Sequence, residues 1–554
     1  LADKSTPPPP LARALAALAI AGASAVVLSP LAASLMGASR ASLATFEGLA
    51  GSATSAAVTA LVSLGLGVPF ALVVERSGTS FRRLGWALAI AVLMVPPYLA
   101  AEGAVVLLGP AGKLSRPVAT WLGAGPRSAD PAAMARFTLP DWIDTPLALG
   151  VVMGGCLFPV VSLAVASAWR RTDGRAFESA RLAQGRRGVV SIAVRVLGLP
   201  ALGASILVFG LTLTEFGAPQ LLRVRTVSEA VYEQIQQGDL ASAAAISLVL
   251  LPVVVGAGAL VGRILMRRRV ASLAGLEGEV PRWSAAAEPR PLMSRLAAAP
   301  VLLVAILPGL IVPAVSLVWL ASASRIVSRG PQGSSHTSGF LDALQRAWAL
   351  AHGDAIRTVV LAAITASVAT ILAVALVRMV SRVGWGPWLG ILGAGVAVPA
   401  PVVGLGLIAL WNRPGYEAIA QGPAIVVLAW LARFFPVAVF LAQGSLARVP
   451  RELEEAASLA GCGAMERLAR VVLPGAWPGL VASWVAVDVL SATELGATAL
   501  VAPPGQPLLA PTVVTLMRRG QDPEIAAYQL LLLAVVAWPL VVVGLGTLFG
   551  RGRS

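Results

Sequence analysis

Charge is scarce in this chain. Of its 554 residues only 12% are Asp, Glu, Lys or Arg, against roughly 25% in a typical soluble domain. A water-soluble fold is excluded by that shortage. Cysteine and histidine are rarer still, with two of each. Cys156 falls in an apolar run and Cys462 in a polar one, so no disulfide framework and no metal-ligand spacing is available. His336 and His352 stand in one segment read as a solvated connection. No cluster of His, Asp and Ser at catalytic spacing accompanies them. A phosphate loop of the form G-x-x-x-x-G-K-[ST] is also missing. The stretch "GPAGKL" at 109–114 has the wrong spacing and no hydroxyl after its lysine. With no βαβ pattern, the chain has nowhere to hold a nucleotide. No catalytic residue, metal ligand or bound cofactor is therefore assigned, and the chain is read as no enzyme.

What is present is apolar sequence, 57% of the chain. Runs of 18 or more apolar residues recur, each long enough to cross about 30 Å of hydrocarbon. The expected fold is an all-α membrane protein of about 12 spans. Six lie near 11–36, 55–75, 84–109, 145–168, 200–222 and 241–264. Six more lie near 298–320, 356–380, 385–411, 421–443, 475–499 and 526–549. The first run has a positive flank, as a signal peptide does, but is long for one and is read as a span. Residues 267–297 are basic, carry prolines and join the two sets. The expected domains are 1–266, a linker at 267–297, and 298–554. The net charge of +15 resides largely in alternate loops. By the positive-inside rule both termini, the linker and the two long arginine-bearing loops face the cytoplasm. No soluble domain exists to carry a nucleic-acid site, so the basic balance does not imply nucleic acid.

The two halves repeat each other. "FPVVSLAVASAWRRTDGRAFESARLAQG" begins at Phe158 and "FPVAVFLAQGSLARVPRELEEAASLAG" at Phe435; from Phe158 to Glu178 and from Phe435 to Glu455 the spacing is the same 20 residues. Upstream, "VPPYLAAEG" from Val95 pairs with "VPAPVVGLG" from Val398. Downstream, "TEFGA" from Thr214 pairs with "TELGA" from Thr493. An even number of spans per repeat gives both halves one orientation, and so a pseudo-two-fold axis along the membrane normal.

The polar stretch "VPRELEEAASLAGCGAMERLARVVLPGAW" is too long for a plain connection between bundle helices. Pro450 suits a helix start, with Glu452, Glu454 and Glu455 at the positive end of the helix dipole. Gly461 and Gly463 permit a sharp turn before a second short helix. A helix–turn–helix outside the bilayer is expected.

That stretch resembles the "EAA" loop of binding-protein-dependent ABC importer permeases. The family's pattern is met by Glu455, Ala456, Ala457, Gly461, Val471, Leu473 and Pro474. The first half is degenerate: Glu178, Ser179 and Ala180 stand for E-A-A, Gly185 comes one place late, and the L-P step has no counterpart. The resemblance implies two six-helix permease domains fused in one chain, similar to permeases for ferric iron, thiamine and phosphonates. "TEFGAPQLL" and "TELGATALVAPPG" weigh toward iron. It further implies an inner-membrane importer subunit whose coupling helices dock on a cytoplasmic ABC ATPase homodimer. That partner would bind ATP and Mg, and a periplasmic or lipid-anchored binding protein would deliver the solute.

Glu102, Glu215, Asp488 and Glu494 fall in or near spans, where a carboxylate is costly unless it meets a cavity or a partner. Glu215 and Glu494 occupy matching places and, with Asp488, are candidates to line the pathway and attract a cation. The alternative for the matched pair is an interfacial carboxylate, or a helix cap. Pro96, Pro97, Pro399 and Pro401 are read as kinks or hinges. A gradient-driven secondary transporter suits twelve spans with a parallel repeat, yet leaves the two long helical loops unexplained.

Overall fold

The computed structural model describes residues 43–109, 112–115, 142–170, 172, 174–239, 242–243, 245–247, 256, 292–322, 325–329, 335–338, 340–383, 398–518 and 523–550. The expected first span, most of the sixth, the start of the ninth and linker residues 267–291 lie outside them. The fold is helical, as the apolar runs require. Among the described residues, eight helices are long and apolar enough to cross a membrane.

In the first half α1 is Leu43–Glu75, α2 Thr79–Met94, α3 Pro97–Leu108, α4 Pro146–Arg170 and α5 Gly174–Leu213. Two short helices follow, α6 Gly217–Leu221 and α7 Val227–Gln236. The expected third span is not one rod. It breaks at Pro96, and α3 leaves α2 at 88°. Val95 and Pro96 are extended, and Pro97 starts the new helix, where its missing N–H costs nothing.

A membrane helix starts the second half. Here α8 (Leu292–Ile306) runs through a π turn at Leu307–Ile311 into α9 (Val312–Ser322). A hairpin of β1 (Arg325–Arg329) and β2 (Ser335–Ser338) follows, forming the one sheet among the described residues. Then come α10 Phe340–Val383, α11 Ala400–Trp411, α12 Glu417–Ala420, α13 Ala424–Leu446, α14 Arg451–Leu459 and α15 Ala464–Arg467. The chain closes with α16 Leu473–Ala492, α17 Thr498–Val501, α18 Leu509–Met517 and α19 Pro523–Gly550. These elements correct the connecting loop expected around the histidines, although His352 is exposed as expected. His336 is on β2, and His352 is inside α10, its ring nitrogen near the carbonyl oxygens of Trp348 and Ala349.

Small residues bring these helices together, since lipid supplies no hydrophobic drive between them. Gly150 and Gly154 of α4 press on Val58 and Val62 of α1. Hydroxyls close the same interface: Ser63 donates to the Gly154 carbonyl at 3.1 Å and Ser162 to that of Gly67 at 3.1 Å. In the second half Ala362, Ala366, Ala369 and Ala373 form a fully buried stripe on α10, which packs on α13 and α16. The first membrane helix of the second half seats on the first half. Gly155 of α4 abuts Pro308, and a Cβ on Gly103 of α3 would lie 2.9 Å from Pro313. The halves are thus interlocked.

Candidate functional site

Two features stand out, and one helix in each half joins them. The first is the polar segment. α14 is flanked by Pro450 before it and Ala460 after it, and Gly461 follows at φ +83°, a conformation that favours glycine. Arg467 Nη1 donates to the Cys462 carbonyl at 2.9 Å and to Ser458 Oγ at 3.1 Å, fastening α15 across the turn. A π turn at Leu468–Val472 leads into α16, with Leu473 and Pro474 at its start. Glu455 and Ala456 are exposed and Ala457 is half-buried. Glu454 faces inward and takes two bonds from Arg378 of α10, both 2.8 Å.

The first half builds the same turn from a weaker motif. Gly185 interrupts α5 at φ +60°, ψ −140°, so the glycine one place late occupies the matching bend. Glu178 and Ser179 are exposed and Ala180 is half-buried. Phe177, at the position matching Glu454, packs on Trp169 with ring centroids 5.2 Å apart. Glu75, at the end of α1, accepts from Arg170 Nη2 at 2.6 Å and Trp86 Nε1 at 2.9 Å, tying α1, α2 and α4 beside this segment. Large apolar side chains stand out from both turns: Leu182 is 88% exposed, Leu459 91% and Met465 74%.

The second feature lies at the far ends of α5 and α16. Both helices end just before the matched loops, at Leu213 and Ala492, so Glu215 and Glu494 stand in breaks, outside helical turns. The loops meet each other. A Cβ on Gly217 would lie 3.0 Å from Tyr98 and 3.1 Å from Leu495, and one on Gly496 would lie 2.5 Å from Ala400 and 3.2 Å from Phe216. Each loop therefore touches its counterpart and a helix of its own half, α3 in the first and α11 in the second.

Each carboxylate caps the short helix after it, where free N–H groups collect. Glu494 accepts from the N–H of Ala497 at 2.9 Å and of Thr498 at 2.8 Å, and from the Thr498 hydroxyl. Trp430 Nε1 in turn donates to that hydroxyl at 2.8 Å. Arg433 of α13 completes the set with a 2.7 Å bond to Glu494, whose side chain is 1% exposed. Glu215 accepts from the Gly217 N–H at 3.2 Å and is partly exposed. Arg433 and Glu494 lie within its electrostatic reach. The structure thus brings Glu215 and Glu494 together. Asp488 is apart from them, fully buried in α16. The Trp538 indole of α19 is beside it but outside bonding geometry, and neither carboxylate oxygen has a partner among the described residues.

Beside the loops is a cavity of about 610 Å³, lined by α3, α6, α7 and α18, with Glu102, Gln220, Arg223, Glu229, Glu233 and Arg518 among its residues. Glu102 is buried and accepts from Gln529 of α19, so its partner comes from the other half. Glu229 lies outside the spanning helices. Burial, and then the neighbouring Glu233, push its carboxyl up to about 7, against the pull of Arg225 and Arg518. A carboxyl raised in the folded state binds its proton more tightly there than when unfolded. Stability therefore falls as pH climbs from the ordinary glutamate range through about 7. Glu229→Gln is expected to leave the thermal midpoint unchanged near the acid end and to raise it above neutrality. Melting curves of the detergent-solubilised protein across pH check this, and a gain confined to acid pH would contradict it.

Arg433, Tyr98, Thr498 and Gln529 were not among the residues singled out from sequence. Arg433 carried a usable signal: an arginine inside "LAWLARFFPVAVF" requires a partner.

No family model matches the chain. Over 142 residues it is 31% identical to PhnV of Salmonella paratyphi A, named as the permease of a 2-aminoethylphosphonate transport system. That match takes in 25% of this chain and 52% of the relative. The putrescine transport system permease protein PotI of Escherichia coli K12 is 27% identical over 170 residues, 30% of this chain and 60% of that one. The chain thus spans between half and two thirds of the length of these curated relatives. Both are named as permease proteins of transport systems, and the chain is similar to the permeases of binding-protein-dependent ABC importers.

Proposed function

We propose that this chain is the membrane-spanning subunit of an ATP-driven importer in a bacterial inner membrane. Its two permease domains, 1–266 and 298–554, form one pathway on their pseudo-two-fold axis, with both termini and the 267–297 linker in the cytoplasm. The reading rests on continuity. In each half a polar helix and a left-handed glycine lead into a long helix that stops at a Thr-Glu loop, and the two loops touch. A push on the exposed segments at 178–185 and 451–461 would reach that contact through α5 and α16. A pair of ATPase subunits, binding ATP and Mg, supplies the push by pressing differently on two states of the bundle. A binding protein delivers the solute from the outside.

For the solute we favour the alternative to iron. The ferric assignment rests on loop resemblance alone. The relatives are named for 2-aminoethylphosphonate and putrescine, small solutes that each carry a primary amine, protonated at neutral pH. Co-purification tests the assembly. An ATPase dimer should come away with this chain, and its hydrolysis should rise when binding protein and solute are added. Uptake by the chain alone, driven by a proton or sodium gradient, would replace this reading with a secondary transporter.

A further inference from the structure

The two halves differ in charge at the point where their loops meet. Arg433 lies two residues before Phe435, and the residue two before Phe158 is Cys156. Cys156 is buried, is not in a disulfide and lies within electrostatic reach of Glu215. The second half therefore pairs its carboxylate with a guanidinium, while the first places an uncharged thiol at the matching position. One arginine serves two glutamates, and its 2.7 Å bond is to Glu494. Glu494 is saturated by two backbone N–H groups, a hydroxyl and that arginine. Glu215 accepts from the Gly217 N–H, with the Ala218 N–H also turned to it, has no direct bond from Arg433 and remains partly exposed.

A second observation comes from the elbow of the broken span. Tyr98, in the first turn of α3, is 2% exposed, and its hydroxyl has no hydrogen-bond partner among the described residues. It lies within electrostatic reach of both Glu215 and Glu494. A buried hydroxyl without a partner costs free energy, and an acceptor beside a carboxylate is what an N–H donor needs. The ring adds a face that attracts cations. The 610 Å³ cavity is lined by later residues of the same two helices, Glu102 of α3 and Gln220 of α6, and not by Tyr98 or Glu215 themselves.

We propose that Glu215 and Tyr98 form a subsite for the protonated amine of the solute in transit, and that the thiol at Cys156 keeps the site negative by standing where the other half has a guanidinium. This rests on the transport reading above and adds the feature of the solute that the pathway itself inspects.

Thermal stabilisation of the full chain with its ATPase in lipid nanodiscs tests it. Putrescine and 2-aminoethylphosphonate are the probes; 1,4-butanediol and ethylphosphonate are their amine-free counterparts. The amines should raise the midpoint and the counterparts should not. Glu215→Gln keeps an acceptor for the Gly217 N–H and removes the charge, so the amine concentration for half effect should rise about tenfold. Tyr98→Phe should raise it less. The amine-versus-isostere comparison on the unaltered protein needs no variant to fold. Equal stabilisation by the amine-free molecules, an unchanged response in Glu215→Gln, or no response to either amine would overturn the proposal. Absence of bound ATPase in the same sample would instead strike the importer reading, so the two failures are distinguishable.

Discussion

Arg433→Met is expected to remove most of the folded protein from the membrane. Arg433 and Glu494 are 17% and 1% exposed at their side chains and 2.7 Å apart. Methionine approximates the length of arginine but leaves the carboxylate facing apolar surroundings without its cation. Removing one partner of a buried pair costs about 3–5 kcal/mol, a large part of the stability of a typical domain. The two N–H groups and the hydroxyl that remain on Glu494 will not replace that cation. The double variant Arg433→Met, Glu494→Gln should recover much of the loss, because the amide buries no charge and its one oxygen can still accept from the N–H of Ala497 or of Thr498. Fluorescence-detected size exclusion after heating separates these cases. A midpoint for Arg433→Met equal to that of the unaltered protein would show that the pair contributes little.

The second large effect should leave the fold intact. Leu182 and Leu459 are 88% and 91% exposed, so changing both to aspartate breaks no internal contact and should move stability by no more than about 0.5 kcal/mol. Docking on an ATPase is another matter. An apolar side chain projecting from each polar turn fits a groove in a partner, and a charge buried there without a counter-ion is strongly unfavourable. Co-purified ATPase and solute uptake should fall together, by about 100-fold, at a normal midpoint and normal yield. Normal uptake by the double aspartate variant would remove these two turns from the coupling role.

Much of the second half's polar segment was legible in the sequence. Proline, clustered glutamates and spaced glycines each act locally, and α14, its turn and α15 follow from them. The first half was legible as a repeat but not as a geometry. Gly185 reads as a misplaced motif residue until its backbone angles show the bend. Hydropathy located the apolar helices and blurred their ends. It carried the fifth span through Leu222 because Phe216–Leu222 is apolar, although the helix stops at Leu213 and a capped loop follows. It also joined α2 to α3, since prolines mark a break without setting its angle. The meeting of Gly217 with Leu495 and the seating of Pro308 on Gly155 were out of reach. They are contacts between segments far apart in sequence, and no local pattern encodes them.

The anchoring of the two polar helices differs in kind. In the second half Glu454 clasps Arg378 with two charge-assisted bonds; at the matching place in the first, Phe177 rests on Trp169. Dissolved ions weaken a half-exposed charge pair and leave a ring contact almost untouched. Under the proposed importer reading, a rise in electrolyte around these helices slackens one arm and spares the other, so the two coupling segments would answer ionic strength unequally.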